Sequence, residues 1–241
     1  MNHFFIDPQH IQESKVQFPS DVSHQIVRVL RLKMDSKVMV LDNHGHQFEV
    51  RLEKLDVQQC IGKIMQTMKI ETEPETRLHL LVAMTQREKF EWILQKSCEI
   101  GVHKITPIMS ERSIQIPVSV FQKKKERWER ILKEAAEQCR RGMIPALNAP
   151  LQIQAAFHDP APIRLFAWEN EQNQRLNDLF ENQNSAEISL LIGPEGGFSE
   201  QEVESANSLG WIPFSLGKRI LRMETAAVVA SALILNQCGD I

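Results

Sequence analysis

The sequence predicts an α/β protein in which a small β-rich unit precedes a larger domain built around a mainly parallel sheet. Three observations predict it. From Arg77 onward, apolar runs of strand length alternate with runs of helical period. The first 70 residues lack that alternation and carry short strand-like runs joined by turn residues. Two glycine-bearing loops, Gly193-Pro194-Glu195-Gly196-Gly197 and Leu216-Gly217-Lys218-Arg219-Ile220-Leu221-Arg222, each follow directly on an apolar strand. Glycine lets backbone approach a ligand closely, so neighbouring loops of this kind at strand ends point to a cofactor cradled by main chain.

In the N-terminal unit, Phe4–Ile6, Lys37–Leu41, Gln47–Leu52 and Cys60–Met65 read as strands. Asp42-Asn43-His44-Gly45 supplies a hairpin turn between the second and third, and Ile26, Val27 and Leu30 mark a helix over Ser23–Leu30. The acidic, proline-bearing Glu71–Thr76 breaks both periods and sets the boundary, giving units 1–72 and 73–241. Leu78–Met84 is the first strand of the second unit. The helix Glu88–Ile100 carries Phe90, Ile93, Leu94 and Cys98 on one face and stops at Gly101. Ile105–Met109 is the next strand, and Trp128, Ile131, Leu132, Ala135 and Cys139 stripe a helix from Gln122 to Cys139 that Gly142 ends. Ile163–Trp168, Ile188–Ile192 and Trp211–Leu216 supply three further strands. Ser199 with Glu202 forms a capping box opening a helix that Gly210 closes. The last helix, Glu224–Gln237, is apolar all round from Ala226 to Leu235, so either its own domain or a partner subunit must bury it.

At 241 residues with 42% hydrophobic side chains, the chain is long and apolar enough for a sizeable core. No run reaches the ~18 apolar residues of a membrane span. The opening Met1–Asp7 lacks a secretory signal, so a soluble, cytoplasmic protein with no membrane partner is expected. Cys60, Cys98, Cys139 and Cys238 are dispersed with no C-x-x-C pair, and neither metal nor disulfide is indicated. Net charge is −3, but Lys and Arg outnumber Asp and Glu by 14 to 11 over residues 71–150 and fall to 5 against 12 over 151–241. A polyanion therefore fits only the first 150 residues, and only if their cations share a face. The dinucleotide fingerprint G-x-G-x-x-G is absent, and the Gly193 loop lacks the Lys-Ser/Thr of a phosphate-binding P-loop.

The two loops resemble the last motifs of the SPOUT methyltransferases, and most closely the RsmE branch, which methylates N3 of a uridine in 16S ribosomal RNA. His24–Leu32, Glu91–Val102, Ser110–Ser113 and Glu134–Arg140 resemble that branch too, so the similarity covers nearly the whole chain. It departs from the family's usual pattern at Cys139–Gly142 and at Met223, where Thr is common. The resemblance implies a C-terminal trefoil knot, an N-terminal PUA-like β-barrel that holds RNA, a homodimer, and S-adenosyl-L-methionine as cofactor. It carries the cofactor contacts onto Leu191, Ile192, Gly193, Gly196, Leu216, Gly217, Ile220, Leu221 and Ala226.

Methylating uridine N3 requires loss of a ring proton, and Arg222 is the candidate to steady the anion through a carbonyl beside N3. Glu195 and Glu224 are the carboxylates suited to orient the base or accept its proton, if burial raises their pKa. For RNA the candidates are Arg28, Arg31 and Lys33 in the first unit, with Arg87, Lys89, Arg112, Arg140 and Arg141 further on. Two other readings stand beside this one: methylation of another RNA at a base or ribose hydroxyl, and a non-catalytic ribosome assembly factor that keeps the fold.

Overall fold

The structure, a computed structural model, describes residues 1–180 and 187–241. It divides into two compact units, Met1–Glu73 with Ala136–Ile144, and Pro74–Ala135 with Pro145–Ile241. The first division falls within the acidic stretch, one residue from the expected boundary. Nothing in the sequence signals that 136–144 joins the first unit.

The first unit is a five-stranded sheet of β1 (His3–Phe5), β2 (Lys15–Gln17), β3 (Lys37–Leu41), β4 (His46–Lys54) and β5 (Ile61–Lys69). The order is β1-β3-β4-β5-β2, parallel between β1 and β3 and antiparallel elsewhere. Between β3 and β4 the Asp42 carboxylate accepts the His44 and His46 N–H groups at 2.7 and 3.0 Å, and Gly45 takes φ +102, as the turn residues predict. The expected helix starts earlier, as α1 (Ser20–His24), and continues as a π-helical turn over Gln25–Val29. Its Val22 and Ile26 join Phe4, Phe18, Val38, Val40, Val50 and Leu52 in one buried cluster.

Segment 136–144 is fixed to this unit by a carboxylate. Glu73 accepts the Gly142 N–H at 2.9 Å and the Arg141 guanidinium at 2.7 Å. Arg141 is only 4% exposed, so it serves the fold and not RNA, correcting its assignment above. Nor does Gly142 end the preceding helix: the helix stops at Cys139, Arg140 takes the left-handed turn at φ +64, and Gly142 lies against Ile70.

The second unit carries β6 (Arg77–Ala83), β7 (Lys104–Met109), β8 (Ala146–Leu147), β9 (Leu151–Gln152), β10 (Ile163–Ala167), β11 (Glu187–Ile192) and β12 (Ile212–Phe214). The order is β12-β10-β11-β6-β7-β8, with β9 also on β7 and every pairing parallel. Leu78, Leu80, Leu81 and Val82 are all buried, as in a strand covered on both faces. The helices are α2 (Arg87–Ile100), α3 (Val118–Cys139, to Ala135 in this unit), α4 (Ile153–Ala156), α5 (Glu200–Ser208) and α6 (Met223–Gln237). Gly101 terminates α2 at φ +114, and the Ser199/Glu202 capping box opens α5. Helix α6 packs on α2, β6 and β11 through Ala227, Ala230, Ile234 and Leu235, while Leu233 on its other face is 41% exposed. None of the helices described is long and apolar enough to cross a membrane.

A polar network crosses this apolar sheet. Asp159 accepts from Ser189 Oγ at 2.6 Å and pairs with His79 Nδ1 at 2.9 Å, while His79 Nε2 meets Thr106 Oγ1 at 2.7 Å. Burial is the strongest influence on both groups. It lowers the His79 pKa despite the neighbouring carboxylate, and so favours neutral imidazole. At Asp159 burial opposes ionisation, but hydrogen bonds from His79, Ser189 and the Ala161 N–H outweigh it and hold the carboxyl well below its ordinary range. Both folded-state values lie below the unfolded ones. The network's stabilisation is therefore complete above about pH 6.5 and is lost as pH falls, first through His79 and then, below about pH 4, through Asp159. The urea midpoint should drop steadily from pH 7 to 3. Asp159→Asn should cost about 1–3 kcal/mol at pH 7 and flatten that slope; an unchanged slope in the variant would remove the network from the acid response.

Candidate functional site

Three adjacent strands of the second unit end level with one another. Ala167, the last residue of β10, pairs with Ile192 at the end of β11 and with Phe214 at the end of β12. Beyond these residues the chain forms a cavity of about 540 Å³, within the range of small-molecule sites. Trp168 and Glu169 line it from β10, Gly193–Phe198 from β11 and Ser215–Arg222 from β12, with Met223 and Ala226 of α6 and Lys89 of α2. Ligands of open parallel sheets sit beyond carboxyl strand ends, and both glycine-bearing loops meet in this one place.

The sequence-predicted residues separate cleanly. Ile192, Gly193, Gly196, Leu216, Gly217, Ile220, Leu221 and Ala226 all line the cavity. Leu191 does not: strand alternation turns it away, and it is buried in the sheet between Phe166 and Leu81. Ile220 stands on the rim, 85% exposed. Positive φ favours glycine at Gly197, where φ is +69, and at Gly217, where φ is +103.

Arg222 lines the cavity as the N-cap residue of α6 and is exposed. Among the described residues no carboxylate lies within ion-pair distance of it, so its guanidinium is available to a ligand. Glu195 is engaged on its loop. Its Oε1 accepts from Thr85 Oγ1 at 2.6 Å and from Lys89 Nζ at 2.9 Å. Burial is the largest influence and opposes ionisation, but the Thr85 and Lys89 hydrogen bonds and the Lys89 charge overcome it, holding Glu195 below the ordinary carboxylate range. An ionised, engaged carboxylate is a poor proton acceptor and a good brace. Glu224 is not among the cavity's lining residues; it sits in the first turn of α6, where the helix dipole favours an anion, with Oε2 buried and unpartnered among the described residues.

The cations proposed for RNA divide as well. Lys89 lies in the cavity wall, and Arg112 Nη1 donates to the Gly196 carbonyl at 2.9 Å, bracing the same loop. Arg87 pairs with Glu91 at 3.0 Å, a carboxylate that Arg127 also grips at 2.7 Å. The Arg127 hydrogen bond is the main cause of that carboxyl's lowered pKa. Arg28, Arg31, Lys33 and Arg140 are exposed on the first unit. Thr85 escaped sequence reasoning because its partner Glu195 is 110 residues away. Lys218 and Arg219 could have been assigned from their place in the second loop.

The RNA methyltransferase domain model matches residues 72–235, and the RNA methyltransferase PUA domain model matches residues 18–65. Ribosomal RNA small subunit methyltransferase E of Synechocystis sp. is 34% identical over 95% of this chain and 75% of the relative. That of Mesomycoplasma hyopneumoniae is 32% identical over 88% of each. Among solved structures, ribosomal RNA small subunit methyltransferase E from Neisseria gonorrhoeae, bound to S-adenosyl methionine, superposes with a TM-score of 0.89 at 28% identity, covering 98% of this chain and 97% of that one. A methyltransferase from Legionella pneumophila with bound SAM matches with the same score, identity and coverage.

Gly197→Ala should lower folding stability by about 1–2 kcal/mol, the cost of a left-handed non-glycine residue, seen as a reduced urea midpoint. An unchanged midpoint would contradict the backbone requirement at this turn.

Proposed function

We propose, since the chain belongs to the RNA methyltransferase family, that it transfers a methyl group from S-adenosyl-L-methionine to N3 of a uridine in 16S ribosomal RNA of the small ribosomal subunit. The observation that carries this reading is the meeting of both glycine-bearing loops in one cavity at three level strand ends. Neighbours solved with the methyl donor align over nearly the whole chain.

The cavity suits that molecule. Backbone amides and carbonyls of the two loops offer hydrogen bonds to the adenine edge and the amino-acid end. Ile192, Leu216, Leu221 and Ala226 offer an apolar enclosure, with Ile220 closing over the rim. When bound, S-adenosylmethionine supplies an electrophilic methyl group on sulfur. Uracil N3 gives its proton to solvent water, and Arg222 presents paired donors to a carbonyl beside N3 and stabilises the negative charge that is left. Glu195 is engaged by Thr85 and Lys89 and Glu224 lies off the cavity, so neither carboxylate takes the N3 proton in this reading. Glu195 acts by holding its loop against α2.

Arg28, Arg31, Lys33 and Arg140 on the first unit serve as phosphate contacts that position RNA without reading sequence, while the target base is flipped out toward the methyl donor. Leu233 of α6, 41% exposed among the described residues, supports a homodimer. The reading extends to the trefoil knot of the resemblance and to the cytoplasm, where ribosomal RNA resides.

Small-subunit RNA from cells lacking the protein, incubated with purified protein and methyl donor, should gain one 3-methyluridine by mass mapping. A ribose methyl, or none, would overturn the assignment. Arg222→Ala should cut kcat by about 10²–10³-fold while the titrated affinity for S-adenosylmethionine stays near wild type. Unaltered turnover would exclude Arg222 from the chemistry.

A further inference from the structure

A second cavity, of 380 Å³, lies in the same unit and no step above uses it. It borders the first through consecutive residues. Phe198 lines the cofactor cavity and Ser199 the second, while Glu111 lines the second and Arg112 donates to Gly196 of the first.

Its chemistry is amide-rich and uncompensated by any cation among the described residues. Gln115, Gln152, Gln154 and Gln201 line it, and no lysine or arginine does. Glu111 and Glu202 are its only ionisable lining groups among the described residues. Glu202 is engaged through both oxygens, accepting the Glu111 and Ser199 N–H groups at 2.8 and 2.9 Å. Two carboxylates without a cation disfavour phosphate, whereas amides match a ligand with both donors and acceptors on one edge. At the inner wall Ser110 is 2% exposed, and its Oγ is buried without a partner among the described residues. Its backbone is satisfied, the carbonyl accepting Gln115 Nε2 at 2.8 Å and the N–H donating to Ser113 Oγ at 2.9 Å. A buried hydroxyl left open is a cost that a ligand would remove.

Resting on the RNA substrate proposed above, we propose that this cavity receives an unstacked nucleoside of the RNA adjacent to the methylated uridine, read through its base edge with its phosphates left outside. Single-stranded RNA is commonly read in this way, with bases splayed out and hydrogen-bonded along their edges. Consecutive residues, Phe198 and Ser199, line the two cavities, so one strand can offer neighbouring nucleotides to both.

The test uses the full-length protein with methyl donor and substrate RNA carrying 4-thiouridine beside the target. Photocrosslinks should map to peptides spanning 109–115, 152–154 or 199–205. Gln152→Trp, which fills the cavity from an exposed position, should abolish them and raise KM for RNA about 10-fold, with kcat and cofactor affinity unchanged. Ser110→Ala should keep or raise Tm in the free protein, since it deletes an unpartnered hydroxyl, yet raise KM for RNA. Crosslinks confined to the cofactor loops, or both variants at wild-type KM, would overturn the proposal while leaving the methyltransferase reading intact; a protein partner in the cavity would give that result. Absence of methyl transfer by the wild-type protein would instead sink the reading on which this rests.

Discussion

Ladder hydrogen bonds on both sides of β10 hold Ala167 opposite Ile192 and Phe214, and the cavity exists because of that register. A shift of one residue in either pairing would turn the strand's side chains to opposite faces and carry its loop away from the others. The register is enforced by burial: Leu165 and Phe166 of β10, and Ile188, Leu190 and Leu191 of β11, are all buried. Leu191, which does not reach the cavity, thus matters to it by fixing the strand that ends at Ile192.

Electrostatics then tighten what register places. Thr85, Lys89 and Arg112 come from sequence far from the Gly193 loop, yet each hydrogen-bonds within it, the first two at Glu195 and the third at the Gly196 carbonyl. The Lys89–Glu195 pair is partly exposed, so its worth lies in positioning more than in net stability. Holding Glu195 ionised fixes the loop and removes its carboxylate from proton transfer. Arg222 differs: it is exposed and has no carboxylate partner among the described residues, and in the proposed reaction its charge faces the substrate.

Local signals made most elements readable. The hairpin at Asp42–Gly45, the stop at Gly101, the capping box at Ser199 and the buried strands of the parallel sheet all follow from residues within a few positions of one another. The two loops were likewise legible as a ligand site, because glycine placement after apolar strands is local. Arg141 illustrates the limit. Its sequence neighbours suggest a basic surface, but Glu73, 68 residues earlier, draws it into the fold together with the whole 136–144 segment. Short pieces such as β2, β8 and β9 were missed because two or three residues carry too little periodicity to register. Glu195 lines the cavity, but the direction of its pKa shift is set by Thr85 and Lys89, which no local pattern in the sequence brings to it.

Amide hydrogen exchange with and without S-adenosylmethionine tests most directly whether the three strand ends serve one ligand. Added cofactor should slow exchange together in residues following Ala167, Ile192 and Phe214, over about 168–169, 193–198 and 215–222. Protection of one segment alone, or of none of them, would contradict the account.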